Sequence, residues 1–174
     1  MTTIFYDGKN LHADRARLLT CVPSRSLFDT TKLFRSPDNQ IAIACCGAIP
    51  VAGEERDAVF LLARDILTRM HTGKMRDREY IKDYDCDKYK PARIRSITFI
   101  GMSDTHAFRV NEGLISPQTD QPTYGGSGGR YAFAAYYVTH DAVAALECAF
   151  RLDRLSGGGI DSIPGDSLAP FTIG

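Results

Sequence analysis

The chain opens with MTTIFYDGKNLHAD, residues 1–14, in which two stretches rich in apolar residues flank the polar tetrapeptide DGKN. An Asp-Gly pair between short apolar stretches is typical of a β-hairpin, so the segment predicts two antiparallel strands joined by a turn at residues 7–10. The stretch also raises a chemical question. If Met1 is removed, Thr2 carries a hydroxyl and a free α-amine, which are a nucleophile and a base on one residue.

Outward from this hairpin, the chain alternates between strands and helices. Apolar residues spaced four apart predict an amphipathic helix over residues 53–70, with Gly73 ending it. Residues 75–93 mix charges with tyrosines and have no clean period, which favours a short helix or a surface excursion. The predicted strands are 2–6, 11–15, 27–34, 40–48, 94–102, 106–110 and a short last one at IDSIP, and two further helices are predicted over 130–138 and from about 141 to 155. This order suggests helices covering the outer faces of two packed antiparallel sheets.

Length and charge set limits on the class of protein. A chain of 174 residues is the size of one domain, so we expect residues 1–174 to form a single unit. Basic and acidic residues both number 21, so no overall field favours nucleic acid or an anionic membrane as a partner. No signal peptide or long apolar segment is evident, which predicts a cytoplasmic protein. The five cysteines lack a CxxC spacing and are interpreted as reduced thiols.

Several polar residues stand at the ends of predicted elements. Asp14 ends the returning strand, Lys32 lies in the third strand, GSGG (residues 126–129) opens a helix, and DRLSGGG (residues 153–159) closes one. Each has an ordinary alternative. Asp14 and Lys32 are equally consistent with an exposed ion pair, the first glycine-rich stretch with a flexible loop, and the second with a helix stop. A phosphate cradle at GSGG is disfavoured because the complete Walker pattern is missing.

Taken together and in order, these motifs resemble a known family. TTI at the start, AD, a lysine fifteen residues before a glycine-containing turn, GSGGRYA and D-x-x-S-G-G resemble the proteasome β-type subunits and the peptidase HslV, which are N-terminal nucleophile (Ntn) hydrolases. The resemblance runs from Thr2 to about Asp161. It implies an α+β fold, the four-layer αββα sandwich, which agrees with the element order. The compact 75–93 segment, where the family has a second long helix, is a departure from the pattern.

The resemblance also implies roles for individual residues. Thr2 matches the nucleophile. The oxyanion donor matches the backbone N–H of Gly47 or of Cys46, because the spacing to the other motifs does not decide between these two neighbouring positions. The remaining matched residues are supporting polar groups: Asp14, Lys32, Ser127, Asp153 and Ser156. Small residues around a first specificity pocket are expected at Thr31, Ala44 and Cys45.

The function that follows is a threonine-type peptidase acting on peptides or proteins. The resemblance implies a homo-oligomer, with a ring as one possible form. An ATPase partner has no support in the sequence. The alternative is a catalytically silent subunit that serves as a structural or inhibitory interaction protein, because a retained Met1 would acylate the amine of Thr2. No cofactor is implied. A metal is not implied either, because the four histidines lack ligand spacing and DYDCD (residues 83–87) lacks the glycine and distal glutamate of a calcium loop.

Overall fold

The fold is known from a computed structural model, which describes residues 3–18, 27–29, 31–47, 54–76, 78–84 and 97–173. These ranges form strands, three α-helices and short 3-10 turns. In chain order the helices and strands are β1 (Ile4–Tyr6), β2 (Asn10–Asp14), β3 (Ala16–Leu18), β4 (Leu27–Asp29), β5 (Leu33–Arg35), β6 (Ala42–Cys46), α1 (Glu54–His71), β7 (Glu79–Tyr80), β8 (Thr98–Met102), β9 (Ala107–Asn111), β10 (Leu114–Pro117), β11 (Thr123–Gly125), α2 (Gly129–Thr139), α3 (Ala142–Leu152) and β12 (Ile160–Pro164).

Two antiparallel sheets form the centre of the molecule. The first has four strands in the order β11-β1-β2-β12, and the second has six in the order β5-β6-β8-β9-β10-β7. The facing sides of the sheets share a core that includes Ile4 and Leu11 from the first sheet and Ala44 and Ile100 from the second. Because successive side chains of a strand point to opposite faces, each sheet has a second face that the helices cover.

The helices form the two outer layers. Leu62 and Ile66 of α1 pack on the six-stranded sheet in a core with Phe99 and Phe108. On the other side, α2 and α3 pack against each other, and their small and apolar side chains cover Phe5 of β1. The order of layers is therefore helix, sheet, sheet, helices. This arrangement confirms the predicted α+β sandwich of two antiparallel sheets flanked by helices.

One predicted strand, residues 27–34, is two strands in the structure. Residues 27–29 form β4, which pairs with β3, whereas residues 33–35 form β5, which pairs with β6. The sequence does not mark this division, because both strands begin with the same apolar pair, Leu-Phe. Four more strands were also missed, since they are only two to four residues long and lack a clear alternation: β3, β7, β10 and β11. The part of 75–93 that the structure describes forms β7 and a 3-10 turn at Ile81–Asp83.

The turn between β1 and β2 is built on the carboxylate of Asp7. It accepts hydrogen bonds from the backbone N–H groups of Lys9 at 2.8 Å and Asn10 at 2.6 Å, and from the Asn10 side chain at 3.0 Å. His12 Nε2 lies 2.9 Å from the same carboxylate. Burial disfavours the ionised form of Asp7, but the hydrogen bonds from His12 and Asn10 outweigh it and lower the pKa to about 2.

This low pKa predicts how stability depends on pH. The unfolded chain binds a proton at Asp7 near pH 3.8, before the folded chain does, so the contribution is complete above that pH and is lost as pH falls towards 2. Between about pH 5 and pH 2, the unfolding free energy should fall by about 2 kcal/mol more in the native chain than in Asp7→Asn. Urea titrations at each pH measure this difference. Asp166→Asn, at an exposed aspartate, is the control, and parallel curves for the native chain and Asp7→Asn would contradict the expectation.

Candidate active site

A buried ion pair lies where the two sheets meet at the end of β2. The ammonium of Lys32 donates a hydrogen bond to Oδ1 of Asp14, and both side chains are fully buried. The backbone N–H of Thr3 donates to the same oxygen at 2.8 Å, and the N–H of Gly157 donates to Oδ2 at 3.0 Å. The predicted pair is thus formed, and the alternative of an exposed ion pair is wrong.

Lys32 is held in place by its own backbone. Its carbonyl accepts a hydrogen bond of 3.0 Å from the N–H of Cys45, which ties the residue before β5 to the neighbouring strand β6. Burial of the ammonium lowers the pKa of Lys32, while the charge and hydrogen bonding of Asp14 oppose that shift. In its charged form this ammonium stabilises the anion of a hydroxyl beside it and disfavours the protonated form of a nearby amine, because opposite charges attract and like charges repel.

A second polar cluster is centred on the carboxylate of Asp153. Ser127, in the loop before α2, donates to Oδ2 of Asp153 at 2.6 Å, and Ser156 donates to the same oxygen at 2.8 Å. Burial opposes the ionised form of Asp153, but hydrogen bonds from Ser127 and Ser156 outweigh it, so its pKa lies below the ordinary value. The three residues predicted from GSGG and DRLSGGG therefore come together around one carboxylate.

Thr3 joins the two clusters. Its backbone N–H bonds to Asp14, while its hydroxyl lies 2.6 Å from Oγ of Ser156. Since Ser156 uses its proton for Asp153, the Thr3 hydroxyl is the donor in that contact. Thr3 is fully buried. The sequence gives no signal for Thr3, because nothing in the TT pair distinguishes the second hydroxyl from that of an ordinary strand end.

Gly128 leaves the room that this network needs. A Cβ atom added there would lie 2.1 Å from Oγ1 of Thr3, 2.4 Å from Oγ of Ser156 and 3.0 Å from Oδ2 of Asp153. Its backbone is in the ordinary helical region, at φ −80° and ψ −16°. Gly128 is therefore required for close approach and not for its backbone conformation.

The remaining predicted site residues are placed as follows. Gly47 is the first residue after β6 and has φ of +90°, so the chain bends there in a conformation that favours glycine. Cys46 still pairs with Thr98 in the sheet, and burial of its thiol raises the pKa to about 11. The choice of oxyanion donor between Gly47 and Cys46 stays a prediction. Thr2 lies outside the described residues.

The residues expected around a specificity pocket lie in different surroundings, and the pocket itself stays a prediction. Thr31 lines an open cleft of about 690 Å³, whereas Ala44 and Cys45 are completely buried in the two cores that flank the six-stranded sheet. Among the described residues, no group of three histidine, cysteine, aspartate or glutamate side chains is placed to hold a metal ion. No helix within the described ranges has both the length and the apolar character needed to cross a membrane.

Facing antiparallel sheets between helical layers define the fold of the N-terminal nucleophile hydrolases. The chain has a fold of this kind, the proteasome β-type, HslV-like fold. It is similar to HslV from Trypanosoma brucei, with a TM-score of 0.60 and 16% identity over 93% of this chain and 98% of that chain.

A second solved protein has the same architecture. BPH from Thiobacillus denitrificans matches with a TM-score of 0.54 over 93% of this chain, at 14% identity and 96% of that chain in its complex with epoxomicin, and at 16% identity and 95% of that chain without it. No protein-family model matches the sequence, and a search of curated proteins finds no match. At 14–16% identity, these similarities show the fold.

Proposed function

We propose that this chain is a threonine-type peptidase in which Thr2, freed by removal of Met1, is the nucleophile. The observation that supports it most is the meeting of the two polar clusters on Thr3. The Asp14–Lys32 pair reaches its backbone N–H, and the Asp153 cluster reaches its hydroxyl. Thr2 directly precedes Thr3 in the chain, so both clusters would support the residue that carries the chemistry.

The proposed reaction cleaves a peptide bond in two steps. The hydroxyl oxygen of Thr2 attacks the scissile carbonyl carbon as its proton passes to the α-amine of the same residue. A backbone N–H at Gly47 or Cys46 stabilises the oxyanion, and the α-ammonium returns the proton to the leaving amine. Water then attacks the acyl ester and frees the second product and the hydroxyl.

The buried polar groups would prepare Thr2 for this reaction. The ammonium of Lys32 would favour the deprotonated hydroxyl and the neutral amine, and Asp14 would hold that ammonium in place. The Asp153 cluster would act from the other side by fixing the position of Thr3. Such positioning matters because a displacement of about 1 Å can cost about 100-fold in rate.

Peptides or proteins are the proposed substrates, and a homo-oligomer is the proposed working form. BPH, whose fold this chain shares, is solved in complex with epoxomicin, which is a peptide epoxyketone.

Around the turn between α2 and α3, large apolar side chains are exposed, Val138 at 84% and Tyr137 at 58%. An apolar surface of this kind supports a contact between copies of the chain. We also propose that residues 1–174 fold as one domain.

The test uses the untagged chain as the cell produces it. Intact mass spectrometry should show the loss of one methionine residue, and incubation with epoxomicin should then add one inhibitor molecule. The ketone and the epoxide each take one nucleophile, so the adduct requires both the hydroxyl and the amine of Thr2. Thr2→Ser, which keeps both groups, should still form the adduct, whereas Thr2→Ala should form none and should lose peptide turnover by at least about 1,000-fold.

Two outcomes would overturn the proposal. Retention of Met1 in the folded chain would favour the silent subunit, since the amine would then be blocked. Peptide turnover that survives Thr2→Ala would show that another residue is the nucleophile.

A further inference from the structure

A serine, a histidine and an aspartate form a linear set of hydrogen bonds on the four-stranded sheet. Nδ1 of His12 lies 2.8 Å from Oγ of Ser162, and Nε2 of the same ring lies 2.9 Å from Oδ2 of Asp7. Ser162 and His12 are directly opposite each other in the pairing of β12 with β2. None of the three belongs to the site around Thr3.

The protonation of the ring follows from its partners. Asp7 already accepts two backbone N–H groups, which favour its ionised form, and an ionised carboxylate can only accept hydrogen bonds. Nε2 of His12 therefore carries the hydrogen, and Nδ1 is left as the acceptor for the hydroxyl of Ser162. This is the arrangement in which an imidazole removes the proton of a serine, with the roles of its two nitrogens reversed from the usual triad.

The surroundings keep the base fixed and the nucleophile open. His12 is buried, at 6% exposure, and its ring lies stacked against Phe5 at 6.4 Å between centroids. The hydroxyl of Tyr136 donates to the backbone carbonyl of Asp7 at 3.0 Å, which holds the turn against α2. Ser162 is exposed, and its hydroxyl lies with His12 on the helix-facing side of the four-stranded sheet.

We propose that Asp7, His12 and Ser162 form a second nucleophilic site, separate from Thr2, that cleaves small carboxylic esters. Oγ of Ser162 attacks the ester carbonyl carbon while its proton passes to Nδ1 of His12. The bond to the alcohol oxygen breaks, and the imidazolium returns the proton to that oxygen. Water then hydrolyses the acyl-serine through the same base, so that an acid and an alcohol are the products.

The experiment uses a fluorophosphonate probe on the full chain carrying Thr2→Ala, so that the proposed peptidase site cannot contribute. Attack by Oγ of Ser162 on phosphorus would expel fluoride and leave a stable phosphonyl-serine that peptide mass mapping locates. We expect the label on Ser162, none in Ser162→Ala, and a labelling rate about 100-fold lower in His12→Gln. Ser162 is an exposed residue of an edge strand, so its alanine variant should fold normally.

The chain supplies its own control serine. Ser167 is also exposed, but its hydroxyl donates to the carbonyl of Pro164 and accepts from Arg35, with no imidazole nearby to act as its base. The proposal fails if Ser162 is not labelled, if Ser167 reacts at a similar rate, or if the rate at Ser162 is the same in His12→Gln. None of these results bears on the Thr2 peptidase, which is tested separately by epoxomicin.

Discussion

Replacing Lys32 by methionine should lower the free energy of unfolding by about 3–5 kcal/mol, because it leaves the buried carboxylate of Asp14 without its cation. The methionine side chain fits the same space, so the loss measures the missing charge and not a cavity. Asp14 would keep the hydrogen bonds from Thr3 and Gly157, which do not replace a positive charge. If the proposed function holds, kcat/KM for peptide cleavage should also fall by at least about 1,000-fold.

A matched control is the exposed pair between Arg64 and Asp38. Its side chains are 32% and 41% exposed, whereas those of Lys32 and Asp14 are fully buried. Arg64→Met should therefore cost no more than about 1 kcal/mol. Urea unfolding of both variants, followed by circular dichroism, makes the comparison. If both variants lost the same unfolding free energy, burial would not increase the contribution of the Lys32–Asp14 pair to stability.

Replacing Gly128 by alanine should also destabilise the protein strongly, although it adds a single carbon atom. The new Cβ would overlap the hydroxyls of Thr3 and Ser156, and neither can turn away without breaking the network on Asp153. We expect a loss of about 2–3 kcal/mol in unfolding free energy, typical of overpacking in a closed core. If the proposed function holds, a displaced Thr3 should also lower peptide turnover by about 100-fold. Backbone strain does not explain this cost, since alanine is favoured at φ −80° in a helical conformation.

A double-mutant cycle isolates the steric cause. Thr3→Ala removes the oxygen nearest to the added Cβ but keeps the backbone N–H that bonds to Asp14. The combined variant Thr3→Ala with Gly128→Ala should therefore lose less stability than the sum of the two single changes, by about 1 kcal/mol or more. Strictly additive losses would mean that Gly128 acts through something other than the contact with Thr3.

The fold class was predictable because it follows from local patterns. The Asp-Gly turn at residues 7–8, the helical period of residues 53–70 and the glycines at 157–159 each predict an element, and the structure confirms their order. The division of the predicted strand 27–34 into β4 and β5 was not predictable, because both strands begin with Leu-Phe and only the partners they pair with separate them. Short strands such as β11 were missed for a similar reason, since their pairing with β1 and not their composition makes them strands.

The candidate site was predictable in part. Motif order pointed to Asp14, Lys32, Ser127, Asp153 and Ser156, and these residues form the two polar clusters that meet at Thr3. Three features of the structure were not predictable: the position of Thr3, the space left by Gly128, and the hydrogen bonds that join Asp7, His12 and Ser162. They depend on contacts between residues as far apart as 153 positions in the chain, and a side chain's identity does not reveal which distant partner it meets.

The sequence by itself determined the class of fold, the longer elements and the chemical groups available, because turns, helical period and side-chain type are local properties. The tertiary structure alone decided which of those groups are buried together. Packing two sheets face to face removed Asp14 and Lys32 from water. An exposed pair of the same residues would contribute little to stability, whereas breaking a buried pair is costly. It also brought the second threonine of MTTIFYDG between two carboxylates that the chain places 139 residues apart, at Asp14 and Asp153.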